Sequence, residues 1–339
     1  MLAAAGLAVN GGAADRAVRL APMNELIARV LYALAAALTR LPWRWLLRLA
    51  DAFAARAIRR DSRESRVTRR NLELAFPDLL PAQRAQLHRD VLRTTARQML
   101  ETLRLWTRPH AGNLGLIREH HGVACLDAAI AAGHGVIVAA PHHGNWELLN
   151  QWLAVRTPLA VLYKPPDSAV GEAFLNRVRS AQTGVRSSVN TADRVTQVRA
   201  DAGAVRQLLR RLKEGGVVGI LPDQQPKEGD GEFAPLFGMP ALTMTLLGRL
   251  AHRTGATVLL AWCERIDSHA GDGPGFALHI EPAPPAIADV DPLRAVAALN
   301  AAVERIARRD PAQYQWTYKR YSVRPPGATE GNPYWPDCY

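Results

Sequence analysis

His142 and Glu147 stand five positions apart in PHHGNWELL (141–149), directly after the β-rich run GVIVAA (135–140). A strand running into a proline, two histidines and a glycine before a helix sets polar side chains at the carboxyl edge of a sheet, where open α/β folds keep their sites. With His142 in the turn and Glu147 in the first helical turn, the carboxylate can fold back to one imidazole nitrogen and leave the other to take a proton. That is an oriented general base, although a simple helix-capping contact satisfies the same spacing. Asp223 and Gln224 follow a second such run, VVGIL (217–221), and are expected to face the same cleft, with a turn or helix cap as the plainer role for the aspartate. His120, His121, His134, His142, His143 and Asp223 have no H-E-x-x-H or comparable spacing, so no metal site is expected. Cys125, Cys263 and Cys338 contain no C-x-x-C pair, which argues against a cysteine zinc site and a disulfide framework; no cofactor is expected.

The elements that must hold these residues are legible as an alternation. Short apolar runs at 135–140, 159–163, 217–221, 256–262 and 276–281 are separated by helical patterns near 147–156, 168–182, 201–213 and 241–254. This predicts one α/β domain, at 61–324, around a largely buried sheet. Over 82–106, Leu92, Ala96, Met99, Leu103 and Trp106 recur at helical spacing and predict a core-facing stripe. SHAGDGPG (268–275) reads as a loop and PPGATEGNPYWPDCY (325–339) as a mobile tail.

The formal charge of +11 is concentrated at the start, where residues 1–70 hold thirteen arginines against five acids. An anionic partner is expected. The arginines are interleaved with apolar runs, as in LPWRWLLRLADAFAARAIRR, whereas a nucleic-acid arm would be basic and otherwise polar; anionic membrane lipid is the expected partner, with no nucleic acid. Residues 23–60 therefore read as a membrane-associated helical segment, with Trp43 and Trp45 as the rings that settle at headgroup depth and Leu46, Leu49 and Phe53 on its apolar side. An apolar helix covering the domain core has the same pattern. Val30–Thr39 is uncharged for only ten residues, short of the roughly 20 needed to span a bilayer. Residues 1–22 lack a basic segment before an apolar one, so they read as a disordered extension and not as an export signal, with Met23 as a natural start.

PHHGNWELL resembles the catalytic block of the lysophospholipid acyltransferase superfamily and, within it, the late acyltransferases of lipid A biosynthesis, whose typical form is H-F-G-N-W-E. NLELAFPDL (71–79), LYKPPD (162–167), FLNRVRSAQTG (174–184), LPDQQP (221–226), GEFAPLFGMPALT (231–243) and QYQWTYKRY (313–321) fall in that family's order, so the likeness covers about 24–326. It implies an α/β fold with a mostly buried mixed sheet flanked by helices, on the cytoplasmic face of a bacterial inner membrane. It also implies an O-acyltransferase in which a lipid hydroxyl attacks an acyl thioester directly, with acyl carrier protein as donor and a lipid A precursor as acceptor. Related enzymes acylate other glycolipids, such as mannosylated phosphatidylinositol. Two alternatives are an acyl-CoA lysophospholipid acyltransferase, which usually carries Asp where this chain has Glu147, and a lipid-binding protein without turnover. By the resemblance His142 is the base and Glu147 its orienting acid, while Lys164 stands where arginine is usual and Asp223, with Gln224, belongs to the site. His143 replaces an aromatic, as a second polar contact or as filler. Arg177 and Arg179, with Gly184, match a basic helix that meets acceptor phosphates or the carrier protein, unless it is a solvated face. Phe233, Phe237, Gly238 and Thr243 match the block beside the acyl channel, and Trp316, Tyr318, Lys319 and Arg320 a closing scaffold block.

Overall fold

A computed structural model of the chain describes residues 11–163, 166, 168–183, 195–199, 203–266 and 273–339, with 11–21 and 179–183 described as backbone alone. Lys164, Gly184, most of the 268–275 loop and residues 1–10 of the expected extension lie outside the described residues. The chain opens with helices α1 (Gly11–Leu38), α2 (Trp43–Arg59), α3 (Arg63–Ala75), α4 (Pro81–Thr107) and the short α5 (His110–Leu114). There follow β1 (Ile117–His121), α6 (Val123–Ala131), β2 (Val136–Ala139), α7 (Trp146–Arg156), β3 (Leu159–Tyr163), α8 (Ala169–Thr183), β4 (Val195–Arg199), α9 (Ala204–Lys213) and β5 (Val217–Ile220). The hairpin β6 (Gly231–Leu236) and β7 (Met239–Met244), α10 (Leu246–Thr254), β8 (Thr257–Ile266), β9 (Gly275–Pro282) and α11 (Pro292–Ala307) complete it.

Seven strands form one sheet in the order β1-β9-β8-β2-β5-β3-β4. β2, β5, β3, β4 and β8 run parallel, while β9 returns antiparallel on β8 and β1 lies parallel to β9, so the sheet is mixed. Every residue of β2 is buried, and helices cover both faces, which is why it reads as an unbroken apolar run. Ile137, Ala139, Val218 and Ile220 pack on one face with Leu208 of α9, Leu250 of α10 and Leu299 of α11. Val136, Val138 and Val217 pack on the other with Leu126 of α6 and Leu148 and Trp152 of α7.

Four expectations need correcting. The helix expected at 241–254 is a strand followed by a shorter helix, because Gly231–Leu236 and Met239–Met244 pair as a ribbon with Pro235 opposite Pro240. A two-stranded ribbon consists of edge strands, where proline is tolerated. The α4 stripe is offset: Met99 is 57% exposed, whereas Val91, Leu92, Leu100 and Leu105 are buried, because the helix packs against α2 and α3 as well as α7 and α8. The segment 325–339 is anchored at two points, where Tyr334 and Cys338 are buried and the Tyr334 hydroxyl donates to Asn71 Oδ1 at 2.5 Å, while 326–331 are exposed. Finally, α1 begins at Gly11, so part of the 1–22 segment continues that helix.

In the amino-terminal pair, Ala28 and Ala35 of α1 and Leu46, Ala50 and Ala54 of α2 point inward, and α2 lies along α4. Leu26, Val30, Leu34, Trp45 and Phe53 are exposed. Leu46 therefore belongs to the buried side of α2, not to the apolar side shared with Phe53. Among the described residues no single helix is long and apolar enough to cross a membrane, but Pro22–Leu38 and Trp43–Arg59, bent by 116°, together have the length and composition.

Candidate active site

β2 ends at Ala139, and the next residues are held from three directions. Gly144 N–H donates to Gln313 O at 3.1 Å, Asn145 N–H to Cys263 O at 2.7 Å, and Gln315 N–H to His142 O at 3.1 Å. Gln98 of α4 adds a side-chain hydrogen bond to Gly144 O at 2.6 Å. Gly144 has φ 64°, and a Cβ there would meet Cys263 O at 2.0 Å, so glycine is required. Asn145 then caps α7, its Oδ1 accepting from Leu148 N–H at 3.0 Å.

This turn presents His142 to Asp223, which follows β5. Asp223 Oδ1 is 2.7 Å from His142 Nδ1, and Oδ2 accepts the His142 backbone N–H at 2.8 Å. A carboxylate only accepts, so Nδ1 carries a proton, and in the neutral ring Nε2 is the nitrogen with the lone pair. Nε2 lies 3.3 Å from Gln224 Nε2, and that amide also donates to Gln315 Oε1 at 3.0 Å. Burial alone would raise the Asp223 carboxyl; the charge and hydrogen bonds of His142 outweigh it and hold the group below the usual carboxylate value. Burial, and then the negative charge of Asp223, push the Tyr314 phenol well above its usual value. Trp146 stands edge-on to the His142 ring at 6.4 Å.

Asp223, not Glu147, is thus the carboxylate on the imidazole Nδ1. The two residues are 81 positions apart in sequence, but β2 and β5 are paired neighbours, Ala139 opposite Ile220, so both strands deliver their next residues to one edge. Glu147 sits half-buried in the first turn of α7. Gln224 lies beside the imidazole, its Nε2 3.3 Å from His142 Nε2. Arg177 is exposed on α8, its guanidinium 6.0 Å from the Tyr32 ring of α1. For Arg179 only the backbone is described, within α8, and Lys164 is outside the described residues.

The residues matched to the acyl channel are mostly packed. Phe237 is buried between Phe76, Tyr314 and Trp316, with its N–H donating to Glu304 at 2.6 Å. Thr243 is buried and donates to Asn300 Oδ1 at 2.9 Å. Gly238, at φ 75°, completes the β6–β7 turn, and Phe233 is half-buried on β6. Phe237 and Thr243 therefore fill core space, because the hairpin lies against α11. Trp316 and Arg320 are buried, as a scaffold block requires: Trp316 Nε1–H donates to Pro311 O at 2.7 Å and Arg320 to Leu242 O at 2.6 Å. Sequence reasoning missed Gln98, Gln313 and Gln315. The two last lie in QYQWTYKRY, so that block adds polar positioning as well as scaffold.

His143 faces away from the site. It is fully buried, with Nε2 3.7 Å from Glu264 Oε1, and Glu264 also meets His279 Nε2 at 3.4 Å and Arg309 Nη2 at 3.1 Å. Burial would raise the Glu264 carboxyl, but His143, His279 and Arg309 hold it well below the usual range. Neither ring nitrogen has a hydrogen-bond partner among the described residues, so His143 fills a buried slot beside Glu264 and adds no polar contact to the site.

An imidazole locked by a buried carboxylate at the carboxyl edge of an α/β sheet is an arrangement that can serve as a general base. Compared with known proteins, residues 17–322 match the bacterial lipid A biosynthesis acyltransferase family, and the chain belongs to it. It is an O-acyltransferase. The chain is 25% identical over 290 residues to the lipid A biosynthesis lauroyltransferase of Escherichia coli K12, covering 85% of this chain and 89% of that one. It is 27% identical over 272 residues to the lipid A biosynthesis palmitoleoyltransferase of the same organism, covering 78% and 81%. A phosphatidylinositol mannoside acyltransferase of Mycobacterium tuberculosis is 29% identical over 150 residues, 42% of each chain.

Proposed function

We propose that the chain transfers a fatty acyl group from acyl carrier protein to a hydroxyl of a lipid A precursor by direct attack, without an acyl-enzyme. The observation that carries this reading is the His142–Asp223 pair, which leaves Nε2 as the proton acceptor. Nε2 takes the hydroxyl proton as the oxygen attacks the thioester carbonyl; the tetrahedral oxyanion collapses, the C–S bond breaks, and the imidazolium returns the proton to the departing thiolate. Asp223 fixes the tautomer and stabilises the imidazolium. Gln224 must yield Nε2 to the substrate hydroxyl and can then donate to it. Glu147 is assigned to the same site from the first turn of α7, and Lys164 supplies positive charge to the oxyanion or an acceptor phosphate. Arg177 and Arg179 contact acceptor phosphate or the acidic carrier protein.

The enzyme works at the cytoplasmic face of the inner membrane, seated on anionic lipid through the exposed apolar residues of α1 and α2 and their arginines. Mass spectrometry of lipid A from cells with and without the gene tests the acceptor: one acyl chain fewer in the deletion is expected, and an unchanged profile would sink the lipid A reading. Turnover with purified acyl carrier protein thioesters against acyl-CoA decides the donor. Sedimentation with anionic liposomes tests the seat: removing residues 1–58 should release the protein.

A further inference from the structure

Residues 313–315 run antiparallel beside the turn that carries the base: Gly144 N–H donates to Gln313 O at 3.1 Å, His143 is bridged to Tyr314, and Gln315 N–H donates to His142 O at 3.1 Å. Gln315 thus holds the backbone of His142. Its side chain reaches the other end of the same residue through Gln224, because Gln315 Oε1 accepts from Gln224 Nε2 at 3.0 Å and that nitrogen is 3.3 Å from His142 Nε2. The loop carrying Gln224 is itself fixed. Gln225 N–H donates to the Tyr318 hydroxyl at 3.2 Å, and Gln225 Oε1 accepts from Ser322 Oγ and Val323 N–H, both at 3.1 Å. What is left to set is which end of the Gln224 amide meets the imidazole.

The two ends have opposite character. With Nδ1 protonated against Asp223, the neutral imidazole offers a lone pair at Nε2, which an N–H satisfies and a carbonyl oxygen repels. A glutamine amide turned by 180° has almost the same shape, so Gln224 alone can present either end. Gln315 decides between them. Its carbonyl oxygen accepts an N–H of the same Gln224 nitrogen, which requires the nitrogen, and not the oxygen, to lie between Gln315 and His142. When an acceptor hydroxyl enters and gives its hydrogen to Nε2, the N–H that faced the ring is directed at the hydroxyl oxygen.

We propose that Gln315 is a positioning residue for the transfer: it acts through Gln224, holding the amide so that an N–H meets first the base and then the attacking oxygen, which rests on the assignment of Nε2 as acceptor of the hydroxyl proton. The side chain can be tested apart from the scaffold, since the bond from residue 315 N–H to His142 O remains when only the side chain is exchanged.

Two measurements on the full chain decide the matter: turnover of an acyl carrier protein thioester with a lipid A precursor, and the ring resonances of protein labelled with nitrogen-15 at histidine. Gln315→Met should lower kcat by about 10-fold, as loss of one well-placed hydrogen bond does, with the melting temperature and the KM for the acyl donor little changed. Gln315→Glu keeps the accepting oxygen and should recover most of that loss. In a Gln224→Met background, Gln315→Met should cost less than about 2-fold more, because the group it acts through is gone. Without substrate, the Nε2 resonance of His142, identified by its absence from His142→Ala, should move alike in Gln315→Met and Gln224→Met and return toward its wild-type position in Gln315→Glu. Wild-type kcat with an unmoved resonance in Gln315→Met would overturn the assignment, and so would full additivity with Gln224→Met. Should Gln315→Met not fold, Gln315→Asn, which keeps the polarity but falls one methylene short of Gln224, is read by the same criteria. If His142→Ala itself turns over like wild type, the failure belongs to the acyl-transfer reading, and the resonance alone decides whether Gln315 orients the amide.

Discussion

Two imidazole–carboxylate pairs flank the turn after β2, on consecutive residues. His142 meets Asp223 at 2.7 Å through one nitrogen, and its other nitrogen faces the Gln224 amide. His143 stands 3.7 Å from Glu264, and that carboxylate is shared with His279 and Arg309. Neither ring nitrogen of His143 is within hydrogen-bond distance of a partner among the described residues. The residue types are the same, but only one pair has a route for a proton: His142 is partly exposed at a cleft, whereas His143 is sealed between β8 and the chain near Tyr314. Chemistry is expected at the pair with a defined donor and a reachable acceptor, and stability at the other.

Substitutions can break this contrast in order of effect. His142→Ala should lower turnover by roughly 100-fold or more with little change in melting temperature, as loss of a general base does; steady-state rates within a few-fold of wild type would end its assignment. Asp223→Asn, which keeps the shape but removes the charge that fixes the tautomer, should cost about 10- to 100-fold in kcat. Glu147→Gln separates the two carboxylates: if Asp223 alone orients the imidazole, its kcat loss should be the smaller of the two. Glu264→Gln leaves two imidazoles and an arginine without their anion and should lower stability by about 2 kcal/mol in urea unfolding, while activity per folded molecule stays near wild type. His143→Phe, which installs the ring usual in the family's motif, should change stability by less than about 1 kcal/mol, since Glu264 keeps His279 and Arg309.

Acid sharpens the same contrast. Asp223 and Glu264 are both held below their unfolded values, so near and below about pH 4 the unfolded chain binds more protons than the folded one. Their contribution to stability is complete above that range and is lost as pH falls through the folded values. Glu264→Gln should flatten the fall of unfolding free energy between about pH 4 and pH 2. A variant with the same slope as wild type would show that Glu264 is not ionised in the fold.

What was legible in the sequence follows from burial. β2, β3, β5, β8 and β9 are apolar enough to declare themselves, and the proline–glycine turn placed His142 at a strand end. β1 was hidden because IREHH is exposed at four of five positions at the edge of the sheet, and the β6–β7 ribbon because Pro235 and Pro240 argue against strands. The partner of the base was misread for a different reason. Glu147 is near in sequence, while Asp223 becomes near only through strand order, which no local pattern encodes. The tail misled by composition: its prolines and glycine suggest looseness, but one buried tyrosine with two hydrogen bonds fixes it.

The span between His142 and Asp223 also sets when the enzyme comes into being. A nascent chain that has just released PHHGNWELL from the ribosome holds the motif but not the carboxylate that orients it, which lies 81 residues beyond His142. The turn itself is not pinned until Gln313 and Gln315 arrive, close to the end of the chain. At synthesis rates of about 5–20 residues per second, the base stays unformed for most of translation. The amino-terminal helices, with their outward Leu34 and Trp45, are exposed from the start. On the membrane seat proposed above, attachment would precede competence, and the active site would be completed beside the lipid surface.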